Sequence, residues 1–152
     1  MKKFELTAEC VTNIFGKKLF RIKALVAFGD VKEGDLGGFV EKESNLANSG
    51  DAWVSGDARV YGNAQVSGDA QVSGDLDYAI VGGFGSEQRT TTFFRQKDGT
   101  VGVKCGCFYG TLEEFRGKVK KTHKDSKYAQ EYLMIADLME LHFAGGKEND
   151  ER

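Results

Sequence analysis

Between Gly50 and Asp75 the chain repeats a six-residue unit, Gly-Asx-Ala-x-Val-x, four times with few changes. A period of six matches neither the 3.6-residue turn of an α-helix nor the two-residue alternation of an extended strand. It predicts short strands joined by sharp corners, and each unit must stack on another to bury its apolar side chains. The repeat therefore constrains the fold more than any other feature of the chain.

The residue types in the unit suit this geometry. β-Branched side chains pack well on a pleated surface, so the repeated valines are predicted to point inward with the repeated alanines as small partners. The valines are Val54, Val60, Val66 and Val72, and the alanines are Ala52, Ala58, Ala64 and Ala70. The Gly-Asp or Gly-Asn pair suits a corner, because these residues tolerate positive φ and Asx side chains bond nearby backbone groups.

The segment Val-Ser-Gly-Asp-Ala-Arg at 54–59 and its successors resemble the aliphatic-x-Gly-x-small-x unit of the hexapeptide-repeat family. Members of that family fold as left-handed parallel β-helices with three units in each triangular coil. The segment 30–76, including Leu-Gly-Gly-Phe-Val-Glu at 36–41, is also similar to short hexapeptide-repeat proteins carried by bacteria and their phages. The resemblance implies a short left-handed β-helix over 30–77 and a homo-oligomer, most simply a homotrimer.

The fold class predicted for the whole chain is mainly β with C-terminal helices. Residues 1–29 are expected to form an N-terminal hairpin that caps the β-helix, with its turn at 13–17. Residues 78–144 are expected to form a small α+β module, a β-meander followed by two helices. Thr111 and Glu114 match a capping box at the start of the first helix. The polar tail, 145–152, is expected to be disordered.

Composition points to a soluble intracellular protein, and the resemblance to bacterial and phage proteins implies the host bacterial cytoplasm. No apolar run approaches the length of a membrane-spanning helix, and the N-terminus lacks the apolar region of a signal peptide. The three cysteines, an odd number, fit a reducing compartment better than a disulfide scaffold. No membrane association is predicted.

Catalysis is not predicted. Hexapeptide-repeat proteins are best known as acyltransferases, and the resemblance would imply a histidine general base in the β-helix. The repeat contains no histidine, and the two in the chain are His123 and His142 near its C-terminal end. The interpretation is that the chain is not an enzyme and uses no cofactor. A degenerate acyltransferase remains an alternative.

The cysteines do not predict a metal site. Cys105 and Cys107 lie two residues apart, so they share one face of a predicted strand. Together with Cys10 and His123 they could complete a zinc site, but the spacing is not that of a zinc ribbon or knuckle. Packing is favoured, because free cysteine is among the most buried residue types.

A candidate ligand face lies on the predicted strand 89–95. Arg89, Thr91, Phe93 and Arg95 alternate onto one side of it, which combines two cations with a hydroxyl and an aromatic ring. Such a face suits a planar anionic ligand or an acidic, aromatic protein patch. Gly83 and Gly85, in the preceding glycine-rich loop, could offer backbone N–H groups to the ligand. The alternative is a strand whose arginines are solvated at its two ends.

Trp53 occupies an outward position of the repeat, where the equivalent residues are Arg59, Gln65 and Gln71. Large exposed aromatic side chains are enriched at protein interfaces. Trp53 is therefore predicted to be buried against another subunit or against the N-terminal hairpin.

Charge does not favour direct binding to nucleic acid. The repeat is acidic, but in a three-sided coil Asp51, Asp57, Asp69 and Asp75 would be spread around the corners and would not imitate a phosphate backbone. Arg116, Lys118, Lys120, Lys121, Lys124 and Lys127 form a basic run that could contact phosphates. The run has no interleaved aromatic side chains to stack bases, so a solvated helix face is favoured.

The function predicted from the sequence is that of a non-catalytic, oligomeric binding protein. Its resemblance to phage and prophage accessory proteins suggests that it binds and inhibits a host protein, with a counter-defence role. The alternative of a different class is a sponge that sequesters a small nucleotide-like ligand through residues 82–92.

Overall fold

The computed structural model describes residues 2–85 and 89–144, except for the side chains of Asp75 and Arg89. The tail at 145–152, predicted to be disordered, lies outside the described residues. The strands are β1 (Phe4–Thr12), β2 (Lys18–Ala24), β3 (Leu36–Val40), β4 (Trp53–Val54), β5 (Arg59–Val60), β6 (Gln71–Val72), β7 (Tyr78–Phe84), β8 (Arg89–Arg95), β9 (Val101–Cys105) and β10 (Phe108–Thr111). The helices are α1 (Leu112–His123) and α2 (Lys127–Phe143), and 3₁₀ turns lie at Glu43–Asn45 and Asp75–Asp77.

The predicted left-handed parallel β-helix is wrong. The structure is a mixed β-sheet protein with several sheets and two C-terminal helices, and most of its strand pairs are antiparallel. The repeat supplies only the two-residue strands β4, β5 and β6, and these belong to two different sheets. Four repeat units are too few to form a core of their own. The flanking chain therefore adds longer strands. These strands pair in antiparallel fashion, because a short turn can join two antiparallel neighbours.

The N-terminal sheet has the strand order β1-β2-β3-β5. The turn between β1 and β2 is held by the Asn13 carboxamide, whose Oδ1 accepts hydrogen bonds from the backbone N–H groups of Phe15 at 2.9 Å and Lys17 at 3.0 Å. β2 pairs antiparallel with β3, and β3 pairs parallel with β5 through Phe39 beside Arg59. The sheet thus joins the hairpin directly to the repeat.

Within the repeat the valines and alanines point inward and are buried, as their residue types predict. β4 and β6 pair in parallel, with Trp53 beside Gln71 and Val54 beside Val72. Asn45 closes one corner of this region with its fully buried side chain. Its Nδ2 donates to the backbone oxygens of Gly62 and Ala64, and its Oδ1 accepts from the N–H groups of Glu41 and Lys42. All four bonds are 3.0 to 3.1 Å long.

The second sheet, of order β10-β9-β8-β7, is antiparallel throughout and lies between the repeat and the helices. Phe94 on one face belongs to the core formed with the repeat and the N-terminal sheet, and Phe93 on the other face belongs to the core formed with the helices. Hydrogen bonds tie the sheet to the repeat: Tyr78 donates from its hydroxyl to the Arg59 carbonyl at 2.7 Å, and Thr92 Oγ1 accepts from Gln65 N–H at 3.0 Å. The molecule therefore has three layers.

Both predicted C-terminal helices are present. The capping box of α1 forms as predicted: Thr111 Oγ1 accepts from Glu114 N–H at 3.1 Å, and Glu114 Oε1 accepts from Thr111 N–H at 2.8 Å. Ser126 caps α2 by accepting from Ala129 N–H at 3.3 Å. The two helices cover the outer face of the second sheet with the buried side chains Leu112, Phe115, Val119, Ala129, Tyr132, Ala136, Met139 and Phe143.

Candidate functional site

The predicted ligand face on β8 is covered by the helices. Phe93 is fully buried and packs edge-on against Phe115, with 5.9 Å between ring centroids. Thr91 is also buried, and its hydroxyl donates to Cys105 Sγ at 3.2 Å. The side chain of Arg89 lies outside the described residues. Thr91 and Phe93 therefore belong to the core and are not open to a ligand.

Arg95, the fourth residue of that face, links the second sheet to the end of α2. Its Nε donates to Asp77 Oδ1 at 3.0 Å, one of its terminal nitrogens donates to the Phe143 carbonyl at 3.2 Å, and its guanidinium lies over the Phe143 ring. Burial opposes ionisation of Asp77, but hydrogen bonds from Ser73 and Arg95 outweigh this effect and hold the pKa of Asp77 below its usual value. Arg95 has a structural role in these contacts.

The two predicted loop glycines lie at the end of β7. Gly83 and Gly85 have φ values of +84° and +83°, which L side chains rarely adopt. A side chain at Gly85 would collide with the Tyr132 hydroxyl, which donates to the Phe84 carbonyl at 3.0 Å. Gly85 therefore makes room for α2 to pack on the sheet. Residues 86–88 of this loop lie outside the described residues.

Trp53 is only 8 % exposed and is covered by its own chain. Phe28, in the segment after β2, packs edge-on against it with ring centroids 5.4 Å apart. Gly37 also lies so close that a Cβ there would be 2.7 Å from the indole ring. Contacts within one chain thus account for the burial of Trp53, and its role in an oligomer interface stays a prediction.

A broad groove of about 1060 Å³ crosses the outer face of β4 and β6, with Trp53 and Gln71 in its floor. Two of its cationic side chains are already paired: Lys97 with Asp30 at 3.3 Å and Arg95 with Asp77 at 3.0 Å. The walls also carry further carboxylates and the exposed side chains of Leu36 and Leu76. This mixture does not select one ligand chemistry.

The cysteines and histidines do not assemble a metal site within the ranges 2–85 and 89–144, where no group of three potential ligands is found. Cys10 is exposed on β1, away from the others. Cys105, Cys107 and His123 line a second, smaller cavity beside α1. His142 is exposed near the end of α2 and lies edge-on to Phe143, with centroids 4.8 Å apart.

α2 carries exposed apolar side chains on the side away from the core. Its outer face, which we define as Met134, Leu138 and Leu141, is 72 %, 56 % and 73 % exposed. These residues recur at i, i+4 and i+7, so they form one stripe directly opposite the buried side of the helix. A helix with apolar side chains on opposite faces is normally buried on both. The outer face of α2 is therefore a candidate contact surface for another protein.

Acidic side chains flank this stripe. Arg116 on α1 bonds three carboxylates: Asp137 at 2.8 Å, Glu140 at 2.7 Å, and Glu113 on its own helix. The bonds to Glu140 and Asp137 raise the pKa of Arg116 above its ordinary value. One positive charge against three negative charges leaves the flank acidic. Arg116 is therefore neutralised by its own chain, whereas the lysines of the basic run remain exposed on α1, after it and at the start of α2.

Tyr128 and Leu138 of α2 could be taken for core residues from their helical spacing with Tyr132 and Ile135, but they are 40 % and 56 % exposed. The structure uses Ala129, Ala136 and Phe143 there instead. The signal for the outer face was present in the sequence, because Met134, Leu138 and Leu141 form their own i, i+4, i+7 series.

No family model matches the chain, and the comparison with curated proteins finds no match either. Within the described ranges, no helix is both long enough and apolar enough to cross a membrane.

Proposed function

We propose that the chain is a non-catalytic binding protein that holds another protein on the outer face of α2. Its resemblance to short hexapeptide-repeat proteins of phages suggests that it acts in the host bacterial cytoplasm as an accessory protein. In that role it binds and inhibits a host factor, which is a counter-defence activity.

The observation that carries this proposal is the exposure of Met134, Leu138 and Leu141 on a helix whose opposite side is already buried. Scattered exposed apolar residues are normal on a protein surface, but an aligned stripe marks an interaction site. Half-buried Leu133 and Ile135 widen the apolar strip on its two sides. Methionine and leucine can adapt to a partner surface through their flexible side chains.

The charges around the stripe favour a different protein over a second copy of this chain. α2 carries Glu131, Asp137 and Glu140 but only one lysine, Lys127. Two α2 helices packed on each other would bring these carboxylates together, which costs free energy. A partner with an apolar ridge flanked by lysine or arginine would be complementary. Homo-oligomerisation, implied by the resemblance, stays a separate prediction.

Catalysis is not part of the proposal. His142 is exposed at the end of α2, and His123 packs between Tyr128 and Tyr132 with ring centroids 5.7 and 5.9 Å away. Neither lies in the repeat, where the acyltransferase alternative would need a general base. Of the residues 82–92 that the sponge alternative would use, Thr91 and Thr92 are buried and 86–88 lie outside the described residues, so that alternative stays a prediction.

The proposal can be tested by capturing partners from a bacterial lysate with the wild-type chain, and then measuring the dissociation constant of the purified pair. Leu138→Lys should weaken the complex about tenfold or more, because it places a charge in the centre of the apolar contact. Gln65→Lys is the matched control, since it adds the same charge at an exposed residue of the repeat, in a different layer of the molecule.

Support requires a partner that binds wild type and Gln65→Lys with equal affinity and loses affinity for Leu138→Lys. Equal affinity for all three chains would overturn the proposal. So would a complex that consists only of copies of this chain and dissociates in Leu138→Lys, as measured by native mass spectrometry.

A further inference from the structure

A cavity of about 540 Å³ lies where β9 and β10 meet the two helices. Its wall is mainly aromatic and apolar, with Lys118 and Thr122 of α1 as its polar groups beside the tyrosines and His123. The lining residues are Cys105, Cys107, Phe108, Tyr109, Phe115, Lys118, Val119, Thr122, His123 and Tyr132. This size and this composition are typical of a small-molecule site.

The aromatic side chains form a connected series along the wall. Phe108 and Phe115 have ring centroids 6.0 Å apart, Phe115 and Tyr132 are 5.6 Å apart, and Tyr132 and His123 are 5.9 Å apart. The Tyr132 hydroxyl is engaged with the Phe84 carbonyl, so this side chain offers its ring to the cavity. Because these rings meet at interplanar angles of 31° to 85°, a flat aromatic ligand could stack on only one of them at a time, and Phe108 is less buried than Phe115 or Tyr132.

Two features of the second sheet support the cavity wall. Thr91, in the core of the second sheet, donates its hydroxyl to Cys105 Sγ. Gly85 leaves the space that Tyr132 needs to reach the sheet. Two residues that the sequence placed in a ligand site therefore support this cavity indirectly.

The charge of the cavity is one-sided. Lys118 is exposed at its edge, and the lining contains no aspartate or glutamate. No ion pair joins Lys118 to a residue in the described part of the chain. Lys118 lies more than one turn before the end of α1, and the partial negative charge of a helix C-terminus falls off within its last turn. The edge of the cavity is therefore suited to an anion.

We infer that this cavity binds a nucleoside monophosphate, with the base stacked on the half-buried ring of Phe108 and the phosphate at Lys118. Stacking accounts for the aromatic wall, and a charge-assisted hydrogen bond to the phosphate accounts for the lysine at its edge.

The inference is independent of the proposed function. Tyr132 faces the cavity from the buried side of α2, whereas Met134, Leu138 and Leu141 lie on the opposite side. A variant at one site therefore leaves the other in place.

Calorimetric titration with AMP, GMP, CMP and UMP, and with the matching nucleosides, tests the inference on the full chain. At least one nucleotide should bind saturably, and its nucleoside should bind about tenfold more weakly because the phosphate contact is lost. Lys118→Glu should lower the affinity for the nucleotide about tenfold or more. Lys120→Glu, an equal charge change at an exposed residue on the other side of α1, should leave the affinity within about twofold.

Cysteine alkylation gives a second measurement that needs no substitution. The bound nucleotide should slow the alkylation of Cys107, which is exposed at the cavity, and should leave the exposed Cys10 on β1 unaffected. The inference is overturned if none of the four nucleotides binds up to millimolar concentration. It is also overturned if Lys118→Glu and Lys120→Glu weaken binding equally, or if Cys10 and Cys107 are protected to the same extent.

Discussion

Phe93 and Phe94 are neighbours in the chain, yet each is fully buried in a different hydrophobic core. Phe93 packs edge-on against Phe115 of α1, and Phe94 packs among the repeat and N-terminal sheet residues on the other side of β8. The alternation of side chains along a strand produces this separation. β8 is therefore the element that joins the two halves of the molecule.

Substituting each phenylalanine should loosen a different half. Phe93→Ala and Phe94→Ala should each lower the free energy of unfolding by about 3 to 5 kcal/mol, because each leaves a cavity. Hydrogen exchange should increase in α1 and α2 for Phe93→Ala and in the repeat for Phe94→Ala. The same exchange pattern in both variants would contradict the three-layer arrangement.

The inward and outward positions of the repeat can be tested on β6. Val72→Asp should destabilise the protein by several kcal/mol, because it buries an unpaired carboxylate where the valine is fully buried. Gln71→Asp, at the exposed neighbouring position, should change the free energy of unfolding by no more than about 0.5 kcal/mol. Thermal unfolding followed by circular dichroism measures both, and similar losses in the two variants would show that the assigned orientation is wrong.

Lys3 should make stability depend on pH in the alkaline range. Its side chain is 4 % exposed, and Nζ donates to the Ala52 carbonyl at 2.7 Å. Burial lowers the pKa of Lys3 from 10.5 to about 8, although Asp51 opposes this change. Between these two values the unfolded chain binds more protons than the folded chain, so the folded state becomes more stable as the pH rises.

The variant Lys3→Met removes this titration and isolates its effect. The free energy of unfolding of wild type minus that of Lys3→Met should be constant below about pH 8 and should increase from there towards pH 10.5. Denaturant titrations at several pH values measure the difference. If this free-energy difference falls over the same pH range, burial does not destabilise the Lys3 ammonium group.

Arg116 should stabilise the contact between α1 and α2 in a salt-dependent way. Its three carboxylate partners are 66 to 80 % exposed, so Arg116→Gln should cost only about 1 kcal/mol at low ionic strength. The loss should shrink in 1 M NaCl, where charges on the surface are screened. An equal loss at both salt concentrations would indicate that packing of the arginine stem, and not its charge, is responsible.

The sequence predicted local structure better than it predicted assembly. The Thr111 and Glu114 capping box and the Asn13 turn depend only on residues close in the chain, so the sequence predicts them correctly. The repeat likewise identified its corners: Gly50, Gly56, Gly62 and Gly68 all have positive φ. The period could not show that antiparallel strands of the flanking chain would provide most of the pairing, because that depends on contacts distant in sequence.

The candidate sites followed the same rule. The alternation on β8 correctly separates Phe93 from Phe94, but the strand itself does not reveal that helices cover the Thr91 and Phe93 side. The cavity beside α1 combines side chains from β9, β10 and both helices, so no single segment contains its pattern. The outer face of α2 could be predicted from the sequence, because all three of its residues lie on one helix.

Photo-crosslinking from the centre of the α2 outer face tests the central claim most directly. A photoreactive amino acid in place of Leu138 should crosslink in bacterial lysate to one protein of different sequence. The same group in place of Ile14, which is 92 % exposed at the tip of the hairpin between β1 and β2, should not capture that protein. Equal crosslinking from both positions, or crosslinks from position 138 only to copies of this chain, would contradict the account.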